Sequence, residues 1–198
     1  MSYLPIELNS EQLHFVVIGG GIIATRKIRL LVNSGASVTV VSPTATAYIA
    51  QQAMLKKLVW HQRPYEKKDV ERSKYCIIAT NQLELNNAIQ EQCAGLVCRV
   101  DDAFLSDFIL PATLRRGELL ITVSTNANSP ALTKKIVRSL EEQFDEKYTS
   151  YIQFLGQCRQ TYRHNKVLLQ QIVDERFLNY SLDERQQELE KLVRLQEQ

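Results

Sequence analysis

The feature that most restricts this chain is an apolar run, Leu13-His14-Phe15-Val16-Val17-Ile18, that stops at three consecutive glycines and resumes as apolar residues at helical spacing over 24–33. A short β-branched run predicts a strand, the glycines a tight turn, and the three-to-four-residue spacing a helix. Ser34-Gly35 ends that helix, as glycine does just past the last helical residue, and the valine-rich stretch 37–41 predicts a second strand. Strand, crossover helix and strand within about thirty residues make a βαβ unit.

The alternation continues downstream. Residues 44–56 read as a helix, 58–61 as a third strand, 75–79 as a fourth, 83–93 as a helix and 96–100 as a fifth strand. Strands alternating with helices point to a parallel, doubly wound sheet, and the nearly continuous apolar character of the strands fits burial on both faces. Beyond Asp101 the pattern changes. Residues 108–114 and 119–124 are strand-like and are joined by Arg115-Arg116-Gly117-Glu118, a charged turn suited to an antiparallel pair. From Ser129-Pro130, an N-cap followed by proline at the first helical position, the pattern is helical, with breaks near Gly156, Asn165 and Ser181. The expected fold class is α/β: an N-terminal Rossmann-type parallel sheet, a small strand-containing region, and a C-terminal helical region whose last helix, 183–198, reads as solvated.

The 24 basic and 22 acidic residues leave a net charge of +2, too little to imply a nucleic-acid or membrane partner. No stretch of about 18 apolar residues occurs, and residues 1–10 lack a basic-then-apolar leader pattern, so the expected location is cytoplasmic. Cys76, Cys93, Cys98 and Cys158 form no C-x-x-C pair and no metal site is expected; Cys76 and Cys98 lie in strand-like runs and read as buried thiols.

Gly19-Gly20-Gly21-Ile22-Ile23-Ala24 fits G-x-G-x-x-A between a strand and a helix. In that pattern Gly19 allows the sharp turn, Gly21 lets the backbone approach a pyrophosphate, and small Ala24 lets the helix pack on the strand. The helix start then offers the N–H groups of Ile22 and Ile23 to phosphate oxygens. The acidic residue that usually closes the second strand and holds the adenosine ribose is replaced by Ser42-Pro43-Thr44, whose hydroxyls offer weaker bonds to that ribose. No arginine stands there to favour a 2′-phosphate, which favours NAD over NADP. Arg26 and Lys27 either approach phosphate or are solvated. Asp101 follows the fifth strand directly, at the sheet edge where ligands bind, and is a candidate proton acceptor if partial burial raises its pKa. A turn or capping role is the alternative, with Asp102 and Asp107 as neighbours of the same chemistry.

In order, the chain presents Leu4-Pro5-Ile6, Gly19-Gly20-Gly21 with Arg26-Lys27, Ala79-Thr80-Asn81 with Glu84-Leu85-Asn86, Val100-Asp101-Asp102, Phe108 with Pro111, and Ser124-Thr125 before Ser129-Pro130-Ala131. Over residues 4–140 this series resembles the precorrin-2 dehydrogenase family, the dehydrogenase module of siroheme synthases. The resemblance implies NAD-dependent oxidation of precorrin-2 to sirohydrochlorin in siroheme or cobalamin biosynthesis, a tetrapyrrole substrate and a homodimer. It implies three parts: an NAD-binding domain over 1–107, a dimerisation region over 108–147 and a helical domain over 148–198. The family's essential aspartate falls on Asp101 as the catalytic residue, with the implied role of general base during dehydrogenation and, in bifunctional members, of helping metal insertion. The cofactor set falls on Gly19, Gly21, Ile22, Ile23, Ser42, Pro43, Thr44 and Thr80. Weaker substrate candidates are Arg99, Thr125 and Asn126. Arg99 departs from the family pattern and either pairs with substrate carboxylates or disturbs Asp101. Asn126-Ala127 stands where the family commonly has Gly-Gly, in a loop that otherwise tolerates positive φ. Two alternatives remain: a bifunctional enzyme that also inserts ferrous iron, and a non-enzymatic dinucleotide sensor.

Overall fold

The computed structural model describes residues 3–196. The chain divides between Leu110 and Pro111 into two compact units.

The first unit is a five-stranded parallel sheet in the order β3-β2-β1-β4-β5. Its strands are β1 (His14–Ile18), β2 (Ser37–Val41), β3 (Val59–His61), β4 (Tyr75–Ile78) and β5 (Leu96–Arg99). Because successive strand side chains face opposite sides, the apolar runs divide into two cores. Phe15, Val17, Val38, Val40, Ile77 and Cys98 pack under α1 (Ile22–Asn33) and α2 (Ala47–Met54), through Ala24, Ile28, Leu31 and Ile49. On the other face Val16, Ile18, Val41, Cys76, Ile78 and Val97 pack with Val70 and with Ile89 of α3 (Leu83–Gln92). Helices on both faces make the sheet doubly wound, as the strand-helix alternation predicts. Cys76 and Cys98 are buried in these cores and all four cysteines are free thiols.

One sequence expectation is corrected at the end of this unit. Residues 108–111 are not strand. Phe108 turns back onto the rings of Phe15 and Tyr75, Leu110 packs on the same core, and Lys27 Nζ donates to the Leu110 carbonyl at 3.0 Å. Pro111, with no N–H to give a ladder, then precedes the first hairpin strand.

The second unit opens with an antiparallel pair, β6 (Ala112–Arg116) and β7 (Leu119–Val123), so Arg115 and Arg116 belong to the strand and only Gly117-Glu118 make the turn. Gly117 takes φ +57° there. Helix α4 (Pro130–Gln143) follows, its start capped by the Ser129 hydroxyl accepting from Leu132 N–H at 3.2 Å. Helices α5 (Lys147–Thr161), α6 (Lys166–Gln171), α7 (Glu175–Asn179) and α8 (Leu182–Gln196) close a core of Tyr151, Phe154, Cys158, Leu168, Ile172, Phe177 and Leu189. The expectation of a merely solvated last helix holds for one face of α8 only. Arg185 is 2% exposed, donates to the carbonyls of Phe177 and Leu178 at 2.6 and 3.0 Å, and lies over the Tyr151 ring. The last two residues of that expected helix lie outside the described residues. Among the described residues no helix is long and apolar enough to cross a membrane.

Candidate functional site

The strand order reverses direction between β1 and β4, and the carboxyl ends of β1, β2 and β4 open there into a crevice of about 780 Å³. Such a switch point is where open α/β sheets bind ligands. Its floor is the glycine turn. Gly19 takes φ +119°, and a Cβ on it would lie 2.3 Å from the Ala79 carbonyl oxygen. Gly20, the position left free in the G-x-G pattern, is equally restricted: a Cβ there would lie 2.2 Å from the Thr44 carbonyl oxygen. The turn is stitched to the loop after β2 by Thr46 N–H donating to Gly20 O at 3.0 Å and by the Thr25 and Thr46 hydroxyls at 2.7 Å.

Gly21 is different, since a Cβ built on it meets nothing within 4 Å. It faces open space at the start of α1, where among the described residues no side chain caps the helix. The first N–H groups of α1, from Ile22, Ile23 and Ala24, have no intrahelical acceptor, and with the helix dipole they suit an anion. An open approach over Gly21 and a row of outward N–H groups fit a dinucleotide pyrophosphate.

The expected cofactor residues mostly meet in this crevice. Gly19, Gly21 and Ile22 line its floor, Ser42, Pro43 and Thr44 one wall, and Thr80 the opposite wall; Ile23, one position further along α1, is outside the lining. The expectation that the Ser42 hydroxyl bonds the ribose needs correction. Ser42 is buried and its hydroxyl donates to the Thr44 carbonyl at 2.7 Å, so it shapes the wall rather than offering a donor. Thr44 stays exposed. Of the two basic residues on α1, Lys27 is engaged by Leu110 and Arg26 is exposed.

Asp101 stands just past β5, at the same edge of the sheet. Its neighbours of like chemistry are tied to the backbone: Asp102 accepts from Phe104 N–H at 2.8 Å and Asp107 from Val97 N–H of β5 at 2.8 Å. Asp101 is instead held by side chains. Arg99 Nε donates to one carboxylate oxygen at 2.8 Å and Arg99 Nη2 to the other at 2.6 Å, while Asn86 Nδ2 adds a bond at 3.0 Å. The Asp101 side chain keeps 27% exposure, whereas the Arg99 side chain keeps 0%. Arg99 Nη1 donates onward to Asn87 and Gln90 of α3 at 2.8 and 2.9 Å. Arg99 is therefore the partner of Asp101 and is turned away from solvent, which corrects the expectation that it meets substrate carboxylates.

The electrostatics follow from this fork. Bonding to Arg99 holds the Asp101 carboxyl well below the usual carboxylate range, the Asn86 amide adds to this, and desolvation, which acts the other way, is the smaller effect. The expected upward shift by burial is overturned. Asp101 is an anion at neutral pH and, in this conformation, a weak proton acceptor.

Asn86 was not singled out as a site residue by the sequence. It is 1% exposed on α3, accepts from the Thr80 hydroxyl, and donates to the Thr80 carbonyl at 3.3 Å as well as to Asp101. The available signal was a polar residue three positions before Ile89, on the helix face that packs on the sheet. Thr125 and Asn126 belong to the second unit. There Thr125 Oγ1 accepts from Ser129 N–H at 3.1 Å and lies 3.1 Å from the Thr133 hydroxyl, and Asn126 and Ala127 take φ 49° and 64°.

A family model described as putative NAD(P)-binding matches residues 6–112. The chain is 31% identical over 158 residues to the precorrin-2 dehydrogenase of Bacillus subtilis, covering 79% of this chain and 98% of that one. It is 31% identical over 164 residues to a siroheme synthase of Pseudoalteromonas atlantica, covering 81% of this chain but 36% of that longer protein. Among solved structures, SirC, a precorrin-2 dehydrogenase, superposes with a TM-score of 0.80 at 29% identity, covering 96% of this chain and all of that one.

Proposed function

The chain belongs to the precorrin-2 dehydrogenase family, and from that premise we propose that it oxidises precorrin-2 to sirohydrochlorin, with NAD as the oxidant, on the route to siroheme. The observation that carries this reading is the placement of Asp101. Its carboxylate lies at the carboxyl edge of the sheet, and one Asn86 amide joins it to Thr80 on the crevice wall.

The open backbone over Gly21 and the N–H groups of Ile22 and Ile23 would hold the pyrophosphate, and Ser42-Pro43-Thr44 at the end of β2 would wall the adenosine side. Bound there, NAD supplies the hydride acceptor. Among the described residues that line the crevice there is no lysine or arginine to meet a 2′-phosphate, which favours NAD over NADP. Asp101 is the group of this chain assigned to the substrate, where its charge would orient the tetrapyrrole while the hydride leaves to NAD and the proton to solvent. Thr125 and Asn126 are assigned to the substrate more weakly. The B. subtilis relative and SirC both carry the dehydrogenase name alone, so iron insertion is not part of the proposal. A sensor is not favoured either, because such domains commonly keep an acidic residue where this chain has Ser42.

We assign dimerisation to the hairpin and α4. Leu132, Ile136 and Leu140 repeat at four-residue spacing on α4, yet every residue of that helix stays at least partly exposed, with Leu132 at 48%. Apolar residues left open in this way suit a second copy of the chain. A cytoplasmic location accords with the chemistry of the cofactor and the free thiols.

Anaerobic incubation with precorrin-2 and NAD tests the proposal. Sirohydrochlorin and NADH should rise together, one for one. Binding of NAD without any product would overturn it.

A further inference from the structure

We propose that Arg99 and Asn86 are positioning residues that clamp the Asp101 carboxylate as a fixed, oriented anion and tie it to the Thr80 wall of the dinucleotide crevice. This rests on the proposed dehydrogenation, but its physical content is separable.

The geometry is that of a built support. Arg99 reaches both carboxylate oxygens with two different nitrogens, a planar fork that sets the carboxylate's plane as well as its place. The fork is itself fixed. Its remaining terminal nitrogen is held by Asn87 and Gln90, its backbone N–H donates to the Ser106 hydroxyl at 2.8 Å, and its side chain is sealed from solvent. Asn86 completes the arrangement with every polar atom engaged: the carbonyl accepts from Thr80, and the amide donates to Thr80 O and to Asp101. A buried amide with both ends satisfied has one orientation. Displacing the Thr80 loop, which lines the crevice, would therefore disturb the bond to Asp101.

The charged group facing Asp101 is Arg99 on β5, on whose guanidinium Asp102 of the adjoining turn also acts. Helix α3 contributes only neutral amides, Asn86 to the carboxylate and Asn87 and Gln90 to the arginine. With one buried cation bound to it in two places, the anion persists through the neutral range. Asp101 thus orients charge rather than shuttling protons, and the pH profile of turnover should carry no limb belonging to it between about pH 5 and 9.

The test uses the whole chain. Carbon-13 labelling of aspartate carboxyls in the ligand-free protein should show an Asp101 resonance that stays flat as pH falls from about 7 to 4. In Arg99→Gln the resonance should titrate near the ordinary aspartate value of about 4. Asn86→Asp, which keeps the side-chain shape and sets a second carboxyl against Asp101, should also move it upward. Per folded molecule, Arg99→Gln should lose about tenfold or more in kcat with KM for NAD changed less than about twofold, since only placement of the reacting group is affected. Arg99→Lys should restore part of that loss, because it returns the charge but not the fork. A purely structural role would lower the yield of folded protein and leave kcat per folded molecule and its pH profile as in wild type. Should Arg99→Gln not fold, Asn86→Asp and Arg99→Lys decide by the same two readouts. A folded variant with an unmoved Asp101 titration and wild-type kcat overturns the clamp. Wild-type protein that makes no sirohydrochlorin, while the variants still shift the resonance, overturns the proposed reaction and leaves the clamp standing.

Discussion

The glycine turn of the first unit and the loop after β7 in the second both need left-handed backbone, and they meet the need differently. In the first unit the positive φ falls on Gly19, and neighbouring glycines remove every Cβ that would meet a carbonyl or close the approach to the crevice. In the second it falls on Asn126 and Ala127. Asparagine tolerates that region, whereas alanine brings its Cβ against the backbone at a cost of about 1–2 kcal/mol. Burial shows the same contrast: the sheet buries apolar residues on both faces, while α4 leaves its apolar stripe partly open. A unit whose glycines and cores are fully determined serves as a rigid cradle for a small molecule. A region with strained loop residues and unclosed apolar surface is consistent with completion by a second chain.

The largest effect on the contrast between the two units is expected at Gly20, which the motif treats as free and the structure does not. Gly20→Ala must push its Cβ against the Thr44 carbonyl, separating the two loops that floor and wall the crevice. NAD affinity measured by calorimetry should fall about a hundredfold, the scale of losing one or two well-placed charge-assisted hydrogen bonds. Unchanged affinity would mean the two loops do not act together. A smaller loss is expected in the second unit, where Leu132→Glu places a charge on the open stripe of α4. Sedimentation equilibrium should show the dimer weakened by about tenfold or more, with circular dichroism unaltered; a chain that is monomeric before the substitution removes the dimer assignment. The smallest effect is Ala127→Gly, which should stabilise the second unit by about 1 kcal/mol in urea unfolding, as relief of left-handed strain outweighs the added chain entropy. Destabilisation there would show that Ala127 is not strained.

Much of this was legible in the residues, and what escaped has a common cause. The order of strands and helices in the first unit, the glycine turn and the two-sided burial all follow from local patterns, in which each residue's neighbours along the chain decide its state. The start of β6 did not, because Phe108 is drawn to Phe15 and Tyr75, far away in sequence. The hydroxyl of Ser42 points into its own loop for a partner two residues on, which composition at a strand end does not disclose. Asp101 was placed correctly at the sheet edge, but the direction of its pKa shift depends on where the Arg99 guanidinium turns, and burial alone suggested the opposite sign. Position along a strand is a local property, whereas charge state is set by contacts among β5, α3 and the turn between them.

The decisive measurement compares wild type with Asp101→Ala for NAD affinity and for sirohydrochlorin formation under anaerobic conditions. The predicted result is a loss of turnover of about a hundredfold or more with NAD affinity within about twofold, because the carboxylate orients the substrate and only adjoins the crevice wall. Sirohydrochlorin formed by Asp101→Ala at the wild-type rate would contradict the account, since the anion at the end of β5 would then have no part in the reaction.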